Sequence, residues 1–121
     1  MKATIFPQGI SAIAAGYVTD TTIYCPSSAE AGALIDVEIV VTNISSETLA
    51  ITTTGLVEEI QTGVTNPLYP SPDYIWIDPG STASFTTSFI MPPSDVRYWN
   101  FVFYWDGAEF IQDLVTYVDI A

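Results

Sequence analysis

The chain has 121 residues, 49% of them apolar, and its 14 acidic residues against two basic ones give a formal net charge of −12. A chain of this length is expected to form one hydrophobic core, so we predict a single domain over residues 1–121. The negative charge disfavours nucleic acid and anionic membranes as partners, because both are bound mainly through Lys and Arg. The sequence has no histidine, the commonest base of nucleophilic triads, so we predict that the chain is not an enzyme.

The N-terminal residues 1–19 do not form a convincing signal peptide, since Pro7, Gln8 and Gly9 interrupt the apolar run. No stretch reaches the roughly 18 apolar residues of a membrane span. We predict a short strand from Lys2 to Phe6, followed by an irregular segment over residues 11–19 that is available for contacts. The single cysteine, Cys25, excludes an intrachain disulfide, and we predict that it is buried at the end of a strand.

The clearest periodicity lies between Ala33 and Asn43, where apolar and polar residues alternate with a period of two. This pattern is typical of a strand with one buried face. A second alternating strand is predicted over Ser81–Met91. The remaining strand candidates, in chain order, are Thr21–Cys25, Thr48–Thr54, Val57–Gln61, Tyr74–Ile77, Tyr98–Trp105 and Phe110–Ile120, the last of them bulged near Asp113.

Turn signals separate these strands. Residues 62–72 contain three prolines and are predicted to be a loop, because proline cannot donate to a strand ladder. Asp106 and Gly107 favour a two-residue hairpin of type I′. Helical periodicity is nowhere sustained, so the sequence predicts an all-β immunoglobulin-like sandwich of about seven to nine antiparallel strands without a disulfide.

The aromatic residues supply the candidate binding positions. Along Tyr98–Trp105, one face carries Trp99, Phe101, Phe103 and Trp105 and the other carries Tyr98, Val102 and Tyr104. A sandwich has one inner face per sheet, so one of these rows must face outward or meet another subunit. Exposed aromatic residues can anchor a partner or stack on sugar rings, and our binding candidates are Tyr69, Tyr74, Trp76, Tyr98 and Tyr104.

The carboxylates offer a weaker site. Asp106, Glu109 and Asp113 surround the predicted hairpin and could supply oxygen ligands to calcium, although their spacing matches no named calcium loop. Ordinary solvated carboxylates are the competing interpretation. No other cofactor is expected, because zinc and copper sites need histidine or several cysteines.

The stretch from Ile35 to Ile120 resembles small bacterial, archaeal and viral immunoglobulin-like domains of the cell-adhesion-related (CARDB-like) type. The resemblance rests on three short motifs: IDVEIVVTNISSETL, IDPGSTASFTTSFIMP and FYWDGAEFIQD. It implies the sandwich fold and a role in adhesion, spacing or decoration on cell surfaces or virions.

We therefore expect a structural or interaction protein, for example a virion decoration or tail-associated subunit that binds protein partners or copies of itself. The alternative is a carbohydrate-binding or cell-surface adhesion module in which Trp76 stacks on sugars together with Tyr69 or Tyr74. The expected location is a virion or a cell surface.

Overall fold

A computed structural model of the chain describes residues 10–121. These residues form nine strands: β1 (Ile10–Ala15), β2 (Thr19–Tyr24), β3 (Leu34–Asn43), β4 (Leu49–Glu59), β5 (Thr65–Leu68), β6 (Ile75–Ile77), β7 (Thr82–Ile90), β8 (Val96–Trp105) and β9 (Phe110–Ile120). In this part of the chain there is no helix, and hence none that could cross a membrane. The predicted strand over residues 2–6 lies outside the described residues.

The strands form two antiparallel sheets that pack face to face as an immunoglobulin-like sandwich, which confirms the predicted fold class. The four-stranded sheet has the order β1-β2-β3-β7. The five-stranded sheet has the order β5-β4-β8-β9, with β6 also paired to β4. Each sheet joins strands that are distant in sequence, since β3 pairs with β7 and β4 pairs with β8.

The buried side chains come from the inward faces of both sheets. Strand β3 places Ile35, Val37, Ile39 and Val41 in the core, as its alternation predicts. Burying an aliphatic side chain of this kind is worth about 1.5–3 kcal/mol, so this strand is a principal source of stability. The other buried apolar residues include Ile23, Ile51, Val57, Ile77, Phe85, Met91, Val96, Tyr98, Val102, Leu114, Val118 and Ile120.

Cys25 follows directly on β2 and is buried, which confirms the prediction for it. Its Sγ lies 3.5 Å from the hydroxyl oxygen of Ser11 on β1, and Ser11 donates to the Cys25 carbonyl at 2.7 Å. Burial raises the pKa of the thiol. The residue therefore packs as a small apolar group between two strands.

Two segments predicted to be irregular are strands. Residues 10–15 form β1 because they pair with β2, although alanine and serine have little preference for strands on their own. Thr65–Leu68 forms β5 despite Pro67, because β5 is at the edge of its sheet, where proline is tolerated. In both cases the pairing partner, and not the local sequence, determines the structure.

The two strands predicted on either side of Gly55 are one continuous strand, β4. A Cβ at Gly55 would lie 2.7 Å from Cε1 of Tyr98, so the absence of a side chain leaves room for the buried tyrosine ring. The predicted type I′ turn after β8 is also wrong. Gly107 has a positive φ but no other residue of that loop does, whereas type I′ needs two such residues.

The bulge predicted near Asp113 is confirmed, and it organises one edge of the sandwich. The register of β8 and β9 passes from Val102 opposite Leu114 to Phe103 opposite Gln112, so Asp113 is the extra residue. A bulge re-aims the side chain of the extra residue. Asp113 and Leu114 are consequently both buried although they are neighbours on one strand.

The buried Asp113 carboxylate accepts hydrogen bonds from the turn between β1 and β2. The donors are the backbone N–H groups of Tyr17, Val18 and Thr19 at 2.9, 3.1 and 2.9 Å, and the Thr19 hydroxyl at 2.6 Å. A Cβ at Gly16 would lie 2.6 Å from Cγ of Asp113, so the carboxylate needs glycine at that position. We call this set the Asp113 junction, and it ties the four-stranded sheet to β9.

Candidate functional site

The outer face of the five-stranded sheet is the candidate site, and strand β8 determines its composition. Every second residue from Val96 points inward and Tyr98 is fully buried. The alternate row, Trp99, Phe101, Phe103 and Trp105, therefore faces outward. Of the two rows considered in the sequence, the tryptophan and phenylalanine row is thus the outer one.

Of the two predicted binding residues in the inner row, Tyr98 is accordingly not exposed. Tyr98 donates from its hydroxyl to Oδ1 of Asn100 at 2.9 Å inside the core, and burial raises its pKa. Tyr104 is partly buried, packs against the core cluster and also lines a hollow beside Trp76 and Trp105. The sequence left open which of the two rows faces outward, and the structure places the row of Tyr98 and Tyr104 on the inner side of the sheet.

Cross-strand register assembles apolar outward residues of four strands into one surface, which also contains the uncharged polar residues Thr52, Thr54 and Gln112 beside Phe101 and Phe103. Tyr117 and Val115 of β9 lie opposite Trp99 and Phe101, and Phe110 lies opposite Trp105. On the other side, Leu56 of β4 lies opposite Trp99, and Trp76 of β6 lies opposite Ala50 of β4. We call this surface the aromatic face; its members are Leu56, Trp76, Trp99, Phe101, Phe103, Trp105, Phe110, Val115 and Tyr117.

On β4, β8 and β9, the charged residues beside the aromatic face lie at its two ends. Glu58, Arg97 and Asp119 lie at one end and Asp106 at the other, and the outward positions between them on β4, β8 and β9 are uncharged. In a chain with a net charge of −12, this distribution leaves a large apolar patch in an acidic surround. Patches of this kind mark contact sites.

The outer face of the four-stranded sheet has the opposite composition. At one end of this face the apolar pair Leu34 and Ile90 is exposed. Its other exposed positions on β3 and β7 are Asp36, Thr82, Ser84, Thr86 and Ser88, with the half-buried Glu38 accepting from the Ser84 hydroxyl at 2.9 Å. These side chains are solvated polar groups. The two outer faces thus differ in polarity, although the inner faces of both sheets are apolar.

One end of the aromatic face carries its own cation. Arg97 pairs with Asp119 through two hydrogen bonds of 2.6 and 3.0 Å, and its guanidinium carbon lies 4.3 Å from the ring centre of Tyr117 and 5.8 Å from that of Trp99. The hydrogen bonds from Arg97 hold the pKa of Asp119 below its usual value. The Trp99 indole N–H donates to Glu58 at 3.0 Å. At this end the rings and carboxylates therefore already interact with other side chains of the same chain.

The other end consists of Trp76, Trp105 and two hollows on either side of them. Tyr74, Trp76, Trp105, Phe110 and Ala50 line an apolar hollow of about 230 Å³, in which the Trp105 and Phe110 rings meet edge to face with centroids 5.1 Å apart. Trp76 is 60% exposed, so its ring is available to a partner. The apolar hollow brings together two predicted binding residues, Tyr74 and Trp76.

The second hollow, about 520 Å³, has a mixed lining. The same two tryptophans line it together with Tyr104 and the acidic residues Glu47 and Asp106. Oδ1 of Asp106 accepts the backbone N–H groups of Ala108 and Glu109 at 2.8 and 2.9 Å. The hydrogen bonds from Glu109 and Ala108 hold the pKa of Asp106 below its usual value, so this side of the cleft is anionic. We call this hollow the acidic cleft.

Of the remaining predicted site residues, Tyr69, Glu109 and Asp113 line neither hollow. Tyr69 is exposed but does not line either hollow beside Trp76. Of the calcium candidates, Asp113 is engaged in its junction, while Asp106 caps its own turn and Glu109 belongs to that turn. Within residues 10–121, no group of three or more acidic, histidine or cysteine side chains is arranged to hold a metal ion.

Phe110 and Tyr117 were not among the binding residues predicted from the sequence, and neither row of β8 was predicted to be the outer one. A usable signal was present in the alternation of β9, where Val118 and Ile120 alternate with Tyr117 and Asp119. That alternation gives the inward parity of β9, and its register with β8 then places Trp99 and Phe101 outside. The register itself is not readable from one sequence, because the bulge at Asp113 shifts it by one residue.

Comparison with known proteins supports the fold. The chain is similar to the Northeast Structural Genomics Consortium target SoR45, with a TM-score of 0.70 and 11% identity over 89% of each chain. It is similar to a Bordetella pertussis protein assigned as ApaA, with a TM-score of 0.64 and 9% identity over 85% of this chain and 94% of the other.

A third similar structure is the CARDB domain of a Pyrococcus furiosus protein in complex with di-metal ions, with a TM-score of 0.52 and 15% identity over 88% of this chain and 90% of that domain. No protein-family model and no curated protein sequence matches the chain. At such low identities the similarity shows a shared CARDB-like β fold and nothing about function.

Proposed function

We propose that this chain is a non-enzymatic interaction domain that binds a protein partner through the aromatic face. The observation that carries the proposal is the outward aromatic row of β8, flanked on β9 by Phe110, Val115 and Tyr117 with the uncharged Gln112 between Phe110 and Val115. This surface is uncharged between its ends in a strongly acidic chain. Aromatic residues dominate the centres of protein interfaces, and charged residues are depleted there. A solvated sheet face with no binding role has no need of seven aromatic or aliphatic side chains in one patch.

The setting we propose is a surface assembly, such as a virion decoration or tail-associated position, in which the domain packs onto a larger protein. The CARDB-like fold supports this setting, since the resemblance to such domains implies adhesion, spacing or decoration. The binding energy would come from burying rings that are already held in place by the sheet. Rings fixed on a rigid scaffold lose little conformational entropy on binding.

Site-specific photocrosslinking tests this proposal. A benzoyl-phenylalanine at position 103, in the middle of the aromatic face, should crosslink a specific protein in the organism that encodes the chain. The same group at Ser88, on the outer face of the four-stranded sheet, is the matched control and should give none. The partner should then bind the purified domain, and Phe103→Ser should weaken that binding. Equal crosslinking at both positions, or none at 103, would overturn the proposal.

A second candidate function is carbohydrate binding, and the hollow lined by Tyr74 and Trp76 favours it specifically, since two exposed rings can stack on a sugar. A glycan-array screen tests it with two variants. Trp76→Ala should abolish any signal if the hollow binds sugars, and Tyr69→Ala should leave that signal unchanged because Tyr69 does not line the hollow. A signal insensitive to Trp76→Ala would remove this candidate.

A further inference from the structure

The two ends of the aromatic face contain the same chemical groups but differ in one respect. Each end combines exposed aromatic rings with carboxylates: Tyr117 and Asp119 at one, Trp105 and Asp106 at the other. At the first end a guanidinium, that of Arg97, lies over the rings and pairs with the carboxylate. At the second end no cation is present among residues 10–121.

A guanidinium suits such a site for physical reasons. It stacks on the face of an aromatic ring by cation–π attraction, and it pairs with a carboxylate through two parallel hydrogen bonds. Arg97 makes both interactions within this molecule, with Tyr117 and Asp119 respectively. The pair is partly solvated, with side-chain exposures of 32% and 51%, so this geometry forms without burial in the core.

We propose that the acidic cleft receives an arginine side chain of the partner protein, stacked on Trp76 or Trp105 and paired with the carboxylate of Glu47 or Asp106. This inference rests on the proposed function and names the chemistry of the partner segment. The cleft volume of about 520 Å³ accommodates a side chain of this size. Its carboxylates match a cation and oppose an anion, and the Glu47 carboxylate makes no hydrogen bond or ion pair within residues 10–121.

A second copy of the chain is a poorer occupant than a different protein. Each copy carries a net charge of −12, so two copies repel each other. Arg97 is already engaged with Asp119, and moving it into the cleft of a neighbour would leave that carboxylate without its partner. A basic segment of another protein has neither cost, and the negative field of this domain attracts it.

The three tryptophans provide a direct measurement. Their indole N–H signals in a ¹⁵N–¹H correlation spectrum can be assigned by replacing each with phenylalanine in turn. Titration with an acetylated tetra-arginine amide should shift the signals of Trp76 and Trp105. The Trp99 signal should stay in place, because its N–H is bonded to Glu58 and its ring is next to Arg97.

Charge variants separate a specific pair from general attraction. Glu47→Gln removes one charge from the cleft and should weaken tetra-arginine binding about two- to fivefold, the range for one exposed ion pair. Asp36→Asn removes one charge from the outer face of the four-stranded sheet and should change binding less than the Glu47 variant does. Tetra-lysine should bind more weakly than tetra-arginine, since the ammonium group cannot pair with a carboxylate in the same two-pronged way.

Several results would overturn the arginine assignment: equal weakening by the Glu47 and Asp36 variants, equal binding of tetra-lysine, or tighter binding of a neutral hexasaccharide at the same indole signals. The outcome is separable from that of the proposed function. If position 103 crosslinks a protein but tetra-arginine shifts no indole signal, the aromatic face binds a partner and the assignment of arginine is wrong. If position 103 crosslinks nothing, the proposed function fails whatever the peptide does.

Discussion

Strand β9 contributes to two regions that use their interacting groups in opposite ways. At the Asp113 junction, one buried carboxylate has four donors from the turn between β1 and β2, so its hydrogen-bonding capacity is used within the chain. On the aromatic face, Phe110 and Tyr117 of the same strand remain 40% and 47% exposed. The carboxylate of the first region thus has all its hydrogen-bond partners within the chain, whereas the rings of the second region are still partly exposed.

This difference separates residues that hold the fold from residues that are available for binding. Removing a saturated group leaves buried partners unsatisfied, and the cost appears in the free energy of unfolding. Removing a half-exposed ring costs little folding energy, and its effect should appear in the affinity for a partner. Four experiments test whether the two regions really divide in this way.

The largest effect is expected from Asp113→Ala. The change leaves the N–H groups of Tyr17, Val18 and Thr19 without their acceptor, and we expect a loss of about 3 kcal/mol in the free energy of unfolding. Urea denaturation at neutral pH measures it. Asp119→Ala, on the same strand but at an exposed ion pair, is the matched control and should lose less than about 1 kcal/mol. Similar losses in the two variants would mean that the junction is no more than a surface contact.

Gly16→Ala attacks the same junction from the other side and should cost about 1–3 kcal/mol, because the new methyl group would overlap the Asp113 carboxylate. The double variant Gly16→Ala/Asp113→Ala is the decisive measurement. With the carboxylate gone the methyl group has space, so the double variant should lose less than the sum of the two single losses. Strict additivity would show that Gly16 is required for some reason other than Asp113.

The sequence was sufficient for the elements whose own side chains specify them. Strand β3 was predicted over Ala33–Asn43 and forms over Leu34–Asn43, and β9 has the predicted bounds, because alternating apolar residues define a buried face locally. Strands β1 and β5 were missed because their structure comes from pairing with β2 and β4. Neither the alanine-rich segment of β1 nor the proline-rich segment that contains β5 has a periodicity that indicates its pairing partner.

The candidate site was predicted only in part for the same reason. Trp76 and Tyr74 were recognised as exposed aromatics, but their neighbours in the hollow, Trp105 and Phe110, come from the hairpin of β8 and β9. The inward turn of Tyr98 depends on space above Gly55, which belongs to a strand 43 residues earlier in the chain. Such long-range packing cannot be read from residue types along one strand.

A smaller effect on stability is expected at the aromatic face. Trp76→Ser should change the free energy of unfolding by less than about 1 kcal/mol, since the ring is mostly exposed. The same variant should weaken tetra-arginine binding, followed at the Trp105 indole signal, by about two- to fivefold. A loss of stability comparable to that of Asp113→Ala would place Trp76 among the residues that hold the fold. The comparison between the two regions would then fail.

The smallest effect concerns the two exposed carboxylates at the ends of the aromatic face. Hydrogen bonds lower the pKa of Asp106 and of Asp119 below the ordinary aspartate value of 3.8, those from the Glu109 and Ala108 backbone for Asp106 and those from Arg97 for Asp119. A pKa that is lower in the folded chain than in the unfolded chain stabilises the fold above the unfolded value. That contribution is lost as the pH falls from about 3.8 through the folded pKa.

Asp106→Asn should therefore reduce the loss in the free energy of unfolding as the pH falls. The amide oxygen can still accept the hydrogen bonds of the turn, but the amide takes up no proton in this pH range. The measurement is the free energy of unfolding by urea at several pH values between about 2 and 5, a range that brackets the aspartate pKa. Asp119→Asn should act in the same direction, and since the two residues lie at opposite ends of the face their effects should add. An acid slope unchanged in both variants would mean that these hydrogen bonds do not distinguish the folded from the unfolded chain. In that case the backbone hydrogen bonds to Asp106 would not help to keep the acidic cleft negatively charged at low pH.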